Sequence, residues 1–314
     1  MTLVDKISLD RLYSWGFLMA FLVLGLILPS GARSLVLQIM VLCIFGMAYD
    51  ICLGFTDQCS LGHSVFFGAG AYGVVLSLLW LKVGLIPALL AGLLAALLLA
   101  VPLGIVSVRL SEAYFVIVTA IISAIFHLLA MDMTWLTGGD DGLSVSLPKL
   151  SLGIMELSPY DPHANYYLVF VSLLLSYMIL RRLMDAPLGR VFICIRENEK
   201  RALFLGYNVE RYKLAAFVIS GAFSGMAGGL YAMTLRYASA DYFSFYWSIL
   251  PIVWCLIGGL GTLSGCWIGV LLMCLFQYYV SAWFTYYLLI FGVLILVVLR
   301  ASHRGIVGYL LARR

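Results

Sequence analysis

Long apolar runs alternate with short polar stretches along almost the whole chain, and this pattern predicts membrane-spanning helices. Most runs have the roughly 17–25 residues that a helix needs to cross about 30 Å of hydrocarbon. We expect about ten spans (eight to ten), and one of the last two is open to being a re-entrant half-helix because glycines interrupt them. The predicted bounds are 12–29, 35–54, 62–81, 84–107, 112–131, 164–181, 212–235, 246–260, 264–281 and 284–300.

The composition supports this interpretation and leaves no room for a separate globular domain. Hydrophobic residues make up 64% of the 314 positions and charged residues only 11%, a balance that soluble proteins do not show. We therefore predict an all-α, polytopic transmembrane bundle, one domain over 1–314, with an extracytoplasmic loop at 132–163 and a cytoplasmic loop at 182–211. Residues 1–32 resemble a signal peptide, and we expect them to remain as the first span.

The basic residues predict the orientation of the bundle. With the N-terminus inside, 15 of the 19 Lys and Arg residues fall on the cytoplasmic side. Such a bias fixes topology by the positive-inside rule, so both termini are expected in the cytoplasm. The remaining four are Arg33, Lys82, Lys149 and Arg236. Because topology accounts for the basic residues, the net charge of +4 needs no nucleic-acid partner.

Sequence signatures of catalysis and of cofactor binding are missing. The seven cysteines show no CxxC spacing and the four histidines are scattered, so neither a disulfide framework nor a metal site is expected. The chain contains no GxxxxGK[ST] motif with which to bind ATP and no set of catalytic residues. We predict a protein without a cofactor that is not an enzyme and that takes its energy from elsewhere.

One stretch, GFTDQCSLGHSVFFGAGAYG at 54–73, concentrates glycine and polar residues between two apolar runs. A break of this kind exposes backbone polar groups, which membranes tolerate only inside protein or beside a water-filled cavity. It is either a binding or gating element or a tight cytoplasmic turn, and GGLGTLSG near the C-terminus is a possible counterpart. The candidate gate residues in the two stretches are Gln58, Ser60, Gly62, His63, Gly68, Gly70, Gly258, Gly259, Gly261 and Gly265.

Glycines spaced by four residues indicate close helix packing in the second half of the chain. Gly221, Gly225 and Gly229 fall on one face of a predicted span. Small residues at this spacing let the backbone of another helix approach closely. We predict that these three glycines serve helix packing.

The predicted loops contain two further candidate segments. In the outer loop, TGGDDGL forms a compact turn that is either a plain connection or a rim that touches substrate or a binding protein; its candidate residues are Thr137, Gly138, Gly139, Asp141 and Gly142. In the inner loop, Asn198 can cap a short helix that ends at Leu205 before Gly206. Ala202, Leu203 and Leu205 then offer an apolar surface to a cytoplasmic protein, unless the segment is a solvated connector.

Four segments in this order, SLGHSVFFGAGAY, TGGDDGL, GRVFICIRENEKRALFLGYNVERYKLAAFVISGAFSGMAGGLYA and GGLGTLSG, resemble LivM-type permeases of branched-chain amino-acid ABC importers. The resemblance implies a bacterial inner-membrane permease that works with two ATP-binding cassette subunits, an extracytoplasmic binding protein, and a second homologous permease (LivH-type) or a copy of itself. It also implies a coupling helix in the inner loop that docks into an ATPase subunit. The residues assigned to that coupling element are Arg196, Glu197, Asn198, Glu199, Ala202, Leu203, Leu205 and Gly206.

Two acidic residues depart from the family pattern, because Asp50 and Asp57 stand where an Asn and a small residue are expected. We expect Asp50 to pack against a polar partner and Asp57 to be solvated. The alternative function, a stand-alone secondary transporter or channel, would need an ion-coupling carboxylate within a span, and Asp50 is the candidate. The sequence leaves the substrate open among branched-chain amino acids, urea and short amides.

Overall fold

The computed structural model describes residues 3–148, 150–151, 156–157 and 161–281, together with positions 284, 289 and 292. The described chain is helical apart from four short strands and the connecting loops. Its helices are α1 (Leu3–Ile27), α2 (Ser30–Asp50), α3 (His63–Trp80), α4 (Leu85–Ser107), α5 (Glu112–Asp132), α6 (Thr134–Thr137), α7 (Pro162–Asp185), α8 (Pro187–Glu197), α9 (Glu199–Phe204), α10 (Val209–Leu235), α11 (Phe245–Gly258) and α12 (Gly265–Ser281).

Six of the described helical segments are long and apolar enough to cross a membrane, which confirms the prediction of an all-α membrane protein. They are Gly31–Phe55, His63–Trp80, Leu85–Ser107, Ala113–Asp132, Pro162–Asp185 and Val209–Leu235. Three shorter apolar helices accompany them at Tyr13–Ile27, Phe245–Gly258 and Gly265–Val280. The predicted tenth span, 284–300, lies outside the described residues except for three positions.

Helices α3, α4 and α10 pack against one another at the centre of the bundle. Their backbones meet at glycines: a Cβ atom on Gly70 of α3 would collide with the carbonyl oxygen of Gly225 on α10. A Cβ atom on Gly221 would lie 2.8 Å from that of Ala100 on α4, and one on Gly229 would lie 2.7 Å from a methyl group of Val74. Gly221, Gly225 and Gly229, which follow one another at intervals of four residues, therefore all lie in close helix contacts.

Two small antiparallel strand pairs stand at the end of the bundle where α5 ends, α7 begins and α10 ends. Strand β1 (Leu143–Ser144) pairs with β4 (Tyr237–Ala238), and β2 (Leu150–Ser151) pairs with β3 (Glu156–Leu157). The β1–β4 pair joins the loop after α6 to the segment after α10. That segment then forms a short 3₁₀ turn, Ala240–Phe243, before α11 begins.

Helix α11 is shorter than the central helices, with 14 residues and a length of about 21 Å at 1.5 Å per residue. The turn that precedes it lies alongside the middle of other helices, since the Phe243 ring stacks on the Tyr72 ring of α3 at 5.8 Å between centroids. On α5, His127 Nδ1 is 3.1 Å from the Ala240 carbonyl oxygen. Non-helical backbone is thus enclosed by protein beside α3 and α5, as interrupted membrane helices require.

Candidate substrate pathway and coupling segment

The predicted break after α2 is present in the structure and its polar groups are bonded within the protein. Helix α2 continues as a π-helix over Ile51–Phe55, and α3 does not begin until His63. The Cys52 carbonyl oxygen accepts hydrogen bonds from the Thr56 hydroxyl and the Gln58 backbone N–H, each at 2.8 Å. Gln58 is buried, whereas Asp57 is exposed and has a left-handed backbone with φ of 57°. The expected solvation of Asp57 is confirmed.

The rest of the loop is tied to neighbouring helices. The Tyr49 hydroxyl donates to the Ser60 carbonyl oxygen at 2.8 Å, and the backbone N–H of Leu61 donates to the Thr119 hydroxyl on α5 at 3.0 Å. The Gly62 N–H donates to the Ser60 hydroxyl at 3.2 Å. Burial raises the pKa of the Cys59 thiol, because an apolar environment disfavours the thiolate. The loop is thus an ordered part of the bundle interior.

His63 connects three helices at the first residue of α3. Its Nε2 atom is 2.7 Å from the Ser220 hydroxyl oxygen on α10, and that hydroxyl donates to the Ala48 carbonyl oxygen on α2 at 2.5 Å. With the Ser220 hydrogen used in this way, the network assigns Nε2 as the donor. Nδ1 has no hydrogen-bond partner among the described residues, and the Tyr49 ring packs edge-on at 4.7 Å between centroids.

Buried serines that sequence reasoning missed hold the start of α3 against α5 and α11. The Ser64 N–H donates to the Ser248 hydroxyl at 2.9 Å. The hydroxyls of Ser64 and Ser123 each donate to the Phe243 carbonyl oxygen at 3.0 Å. The ring of the same Phe243 covers Gly68, where a Cβ atom would come within 2.7 Å of it. In the sequence, these serines are recognisable as hydroxyl residues within otherwise apolar runs.

The second glycine-rich segment lies directly against the first, and Asp50 joins them. Its Oδ1 atom accepts from the Gly261 N–H at 2.9 Å and its Oδ2 atom from the Leu263 N–H at 3.0 Å. The carboxylate is fully buried, so the expected packing of Asp50 against polar partners is confirmed. Gly259 and Gly261 have φ values of 127° and 72°, which favour glycine. Gly258 and Gly265 meet closely, because a Cβ atom on Gly258 would collide with the Gly265 carbonyl oxygen.

The inner loop folds into α8 and α9, and the predicted cap and stop of the short helix are confirmed. The Asn198 side chain accepts from the Arg201 N–H at 2.9 Å. Gly206 has a φ of 87°, the left-handed conformation expected after a helix. Glu199 in the first turn forms an ion pair with Lys213 of α10 at 2.8 Å, which fixes α9 to the bundle.

One residue of the predicted apolar surface is placed differently. Ala202 is fully buried against Val191, Ile195 and Val209, because the amphipathic helix α8 turns its apolar face towards α9. The exposed apolar residues of this segment include one that the prediction omitted. They are Leu203, Phe204 and Leu205, with exposed fractions of 54%, 91% and 65%.

A polar groove separates the coupling segment from the break after α2. It has a volume of about 610 Å³ and is lined by Gln58, Glu197 and Lys213 among others. Arg196 crosses to the break itself, since its Nη1 atom donates to the Gly54 carbonyl oxygen at 2.5 Å. Arg196, a predicted coupling residue, thus also lies beside the predicted gate residue Gly261, where a Cβ atom would be 2.8 Å from its Nη1 atom.

The TGGDDGL segment forms a tight turn at the opposite end of the bundle. The Thr137 hydroxyl donates to the Met133 carbonyl oxygen at 2.9 Å and accepts from the Gly139 N–H at 3.1 Å. The three glycines Gly138, Gly139 and Gly142 have φ values of 75°, 60° and 62°. Asp141 is exposed, and its carbonyl oxygen accepts from the Tyr237 hydroxyl at 2.9 Å. The Tyr72 hydroxyl of α3 donates to the Thr137 carbonyl oxygen at 3.0 Å, so the turn contacts the helix that carries Gly68 and Gly70.

A second cavity, of about 330 Å³, lies between α2, α10, α11 and α12. Aromatic and aliphatic side chains form most of its wall, with two glutamines among them. The lining residues include Gln38, Tyr231, Trp247, Trp254 and Gln277. Sequence reasoning did not identify them, although a glutamine inside an apolar run is a usable signal.

In the part of the chain that the structure describes, no group of three or more His, Cys, Asp or Glu residues could hold a metal ion.

Comparison with protein families identifies this architecture. Residues 31–299 match the model of the family described as "Branched-chain amino acid transport system / permease component". The chain belongs to this permease family. The resemblance that the sequence motifs indicated is thereby confirmed, and with its apolar helices the permease chain is a multi-pass membrane protein.

Individual permeases show similarity over most of the chain. The LivM permease protein of the high-affinity branched-chain amino acid transport system is 31% identical in Salmonella typhimurium and 30% identical in Escherichia coli, each over 272 residues. In both cases the match covers 78% of this chain and 64% of the relative, so the chain spans less than two thirds of their length. A probable LivM permease of Methanocaldococcus jannaschii is 26% identical over 218 residues, 64% of this chain and 61% of the relative. No solved structure gave a significant match.

Proposed function

We propose that this chain is the permease subunit of an ABC importer that moves branched-chain amino acids, or a related small amide or urea, across the bacterial inner membrane. The match to the permease family over 31–299 carries this proposal. Two ATP-binding cassette subunits supply the energy, an extracytoplasmic binding protein delivers the substrate, and a second permease or another copy of this chain completes the pore. The chain itself is not an enzyme.

The proposed arrangement has about ten spans with both termini in the cytoplasm. The coupling loop, 182–211, then faces the ATPase subunits, and the loop at 132–163 faces the binding protein. The positions of the two loops support this arrangement. Helices α8 and α9 of the coupling loop lie at the same end of the bundle as the breaks at Gly54 and Gly261. The TGGDDGL turn is at the other end, beside the β1–β4 pair.

The proposed pathway runs along the two glycine-rich breaks. Their buried backbone groups are held by side chains from α2, α5 and α8, so a small shift of these helices changes which groups are paired. The exposed apolar residues of α9 are the proposed contact with an ATPase subunit. Three adjacent apolar side chains at a cytoplasmic end favour burial against a partner.

The surroundings of Asp50 favour the ABC importer over a stand-alone transporter. An ion-coupling carboxylate must face a pathway, whereas the Asp50 carboxylate is buried and accepts two backbone hydrogen bonds. Because both carboxylate oxygens are hydrogen-bonded to the backbone, Asp50 has a structural role. The carboxylate therefore lends no support to ion-coupled transport.

Uptake into proteoliposomes tests the proposal. The chain is reconstituted with the proposed second permease and ATPase subunits, and the binding protein is added outside with radiolabelled leucine, valine or urea. We expect accumulation of one substrate class that requires ATP and stops when a non-hydrolysable analogue replaces it. Accumulation by the chain without ATPase subunits would instead establish the secondary transporter.

A further inference from the structure

Four groups from three separate segments meet at one point on the cytoplasmic side of the bundle. The Arg196 guanidinium comes from the end of α8, Gly54 and Asp50 come from the end of α2 and its π-helix, and Gly261 comes from the loop between α11 and α12. Arg196 Nη1 donates to the Gly54 carbonyl oxygen at 2.5 Å, and Asp50 Oδ1 accepts from the Gly261 N–H at 2.9 Å. We name this group of residues the Arg196–Asp50 junction.

The two glycines make the junction a single contact rather than two separate ones. A Cβ atom on Gly261 would lie 2.8 Å from Arg196 Nη1 and 3.0 Å from the Gly54 carbonyl oxygen. A Cβ atom on Gly54 would collide with both the Asp50 carboxylate and the Gly261 nitrogen. Because no side chain separates the segments, a displacement of one of them is transmitted directly to the other two.

Charge adds to this close packing. Asp50 is fully buried, and the Arg196 guanidinium is bonded to the Gly54 carbonyl oxygen next to it. A buried carboxylate requires opposite charge or hydrogen-bond donors around it, and the backbone N–H groups of Gly261 and Leu263 supply the donors. Moving the loop between α11 and α12 away from α2 would leave this charge unsatisfied, so the two segments stay together.

The coupling segment reaches the junction through Arg196, which precedes the Asn198 cap by two residues. The packing of Ala202 against Ile195 of α8 and Val209 of α10, together with the ion pair between Glu199 and Lys213, holds α9 against both helices. A force applied to the exposed residues of α9 therefore acts on the Arg196 side chain as well.

We infer that Arg196 is the positioning residue that transmits movement of the coupling segment to the broken end of α2, and that Asp50 extends this movement to the α11–α12 loop. Arg196 thus acts within the chain rather than as part of the surface that binds the ATPase. This inference rests on the proposed function and deepens it, because it names the contact through which ATP hydrolysis acts on the pathway.

The first test compares Arg196→Met with Arg196→Lys in the reconstituted importer. Methionine keeps most of the unbranched apolar stem and loses the donor, whereas lysine retains a charged donor. We expect Arg196→Met to lower the number of substrate molecules moved per ATP by about tenfold, the factor that corresponds to one lost charge-assisted hydrogen bond. The KM for uptake and the amount of ATPase subunit that co-purifies should not change, and Arg196→Lys should restore most of the coupling.

Arg190→Met provides the matched control, because Arg190 is an exposed arginine of the same helix. It should transport like the unmodified importer. A loss of co-purifying ATPase in Arg196→Met would show that Arg196 belongs to the docking surface and would overturn the inference. Unchanged coupling in Arg196→Met, in an importer whose unmodified form shows ATP-dependent uptake, would overturn it while leaving the proposed function intact.

A double mutant tests whether the junction acts as one unit. Asp50→Asn keeps the shape of the side chain but turns an amide N–H towards one of the two N–H groups of the loop, so that one hydrogen bond is lost. The coupling loss in Arg196→Met/Asp50→Asn should be no larger than the greater of the two single losses, because groups of one contact are not additive. Losses that multiply would show two independent contacts and contradict the inference.

Discussion

The Nε2 atom of His63 lies 2.7 Å from the hydroxyl oxygen of Ser220, 157 positions further along the chain. The same hydroxyl donates to the Ala48 carbonyl oxygen, so one serine joins the start of α3 to the middle of α10 and the end of α2. Both side chains are fully buried. Neither His63 nor Ser220 can lose its partner without leaving a polar atom unpaired inside the bundle.

Ser220→Ala should therefore destabilise the bundle. The change leaves the His63 Nε2–H without an acceptor, and an unpaired buried group costs about 1–3 kcal/mol. We expect a lower unfolding temperature in detergent, measured by intrinsic tryptophan fluorescence. Ser172→Ala is the matched control, because the Ser172 hydroxyl only donates to Leu168 within α7. An equal shift in the two variants would mean that the His63 contact adds no stability.

Gly68 and Gly70 should respond differently to substitution, although they are two residues apart. Gly68 faces the Phe243 ring, and the Phe243 carbonyl oxygen binds Ser64 and Ser123. A side chain there displaces a ring and shifts the start of α3, so Gly68→Leu should abolish uptake while membrane insertion and complex assembly remain intact.

Gly70 instead faces the carbonyl oxygen of Gly225 on α10, so Gly70→Ala should prevent stable folding.

Uptake assays together with the yield of purified complex separate these two outcomes. Survival of transport in Gly68→Leu, or loss of assembly along with transport, would show that Gly68 is a packing residue and not part of a gate. Normal assembly of Gly70→Ala would show that α3 and α10 can move apart, contrary to the close contact described here.

Local signals in the sequence predicted the short helix α9 well. Asn198 and Gly206 act through their own backbone neighbours, and such contacts are set by spacing along the chain. The burial of Ala202 could not be read in the same way, because it depends on α8 folding back onto α9. The exposed Phe204 was missed for the same reason.

Long-range contacts at the breaks had no counterpart in the sequence pattern. The run at 54–73 indicated where a helix is interrupted, but the hydrogen bond from the Gly261 N–H to the Asp50 carboxylate joins positions 211 residues apart. The role of a buried serine such as Ser248 cannot be predicted from its spacing either, because its hydroxyl bonds to a helix other than its own. The six long apolar helices were accessible from hydropathy alone because membrane thickness fixes their length.

Single-cysteine labelling tests the proposed orientation. All seven native cysteines are free, so they can be replaced to give a cysteine-free background. We expect a membrane-impermeant maleimide added outside to label a cysteine at position 150 and to label one at position 198 only after the membrane is opened. Ala96→Cys is the control that should stay unlabelled in the folded protein, since Ala96 is fully buried. Labelling of position 198 from outside would reverse the topology and remove the coupling assignment with it.

The exposed apolar residues of α9 give the sharpest prediction about ATPase coupling. Leu203 is 54% exposed and its neighbour Phe204 is 91% exposed, so both are accessible to a partner protein. Burial of one leucine contributes roughly 1.5–3 kcal/mol, and about 1.4 kcal/mol changes an affinity tenfold. Leu203→Asp should therefore weaken docking by about tenfold or more and abolish uptake together with substrate-stimulated ATP hydrolysis.

The reconstituted complex allows this loss to be assigned to docking. Leu203→Met keeps an apolar side chain of similar volume and should retain both activities, and the affinity of the binding protein for substrate should be the same with every variant. If Leu203→Asp still binds the ATPase subunits but transports nothing, α9 transmits force without providing the docking contact. If it transports normally, the exposed face of α9 has no part in coupling, and Arg196 would have to receive its displacement from α8 instead.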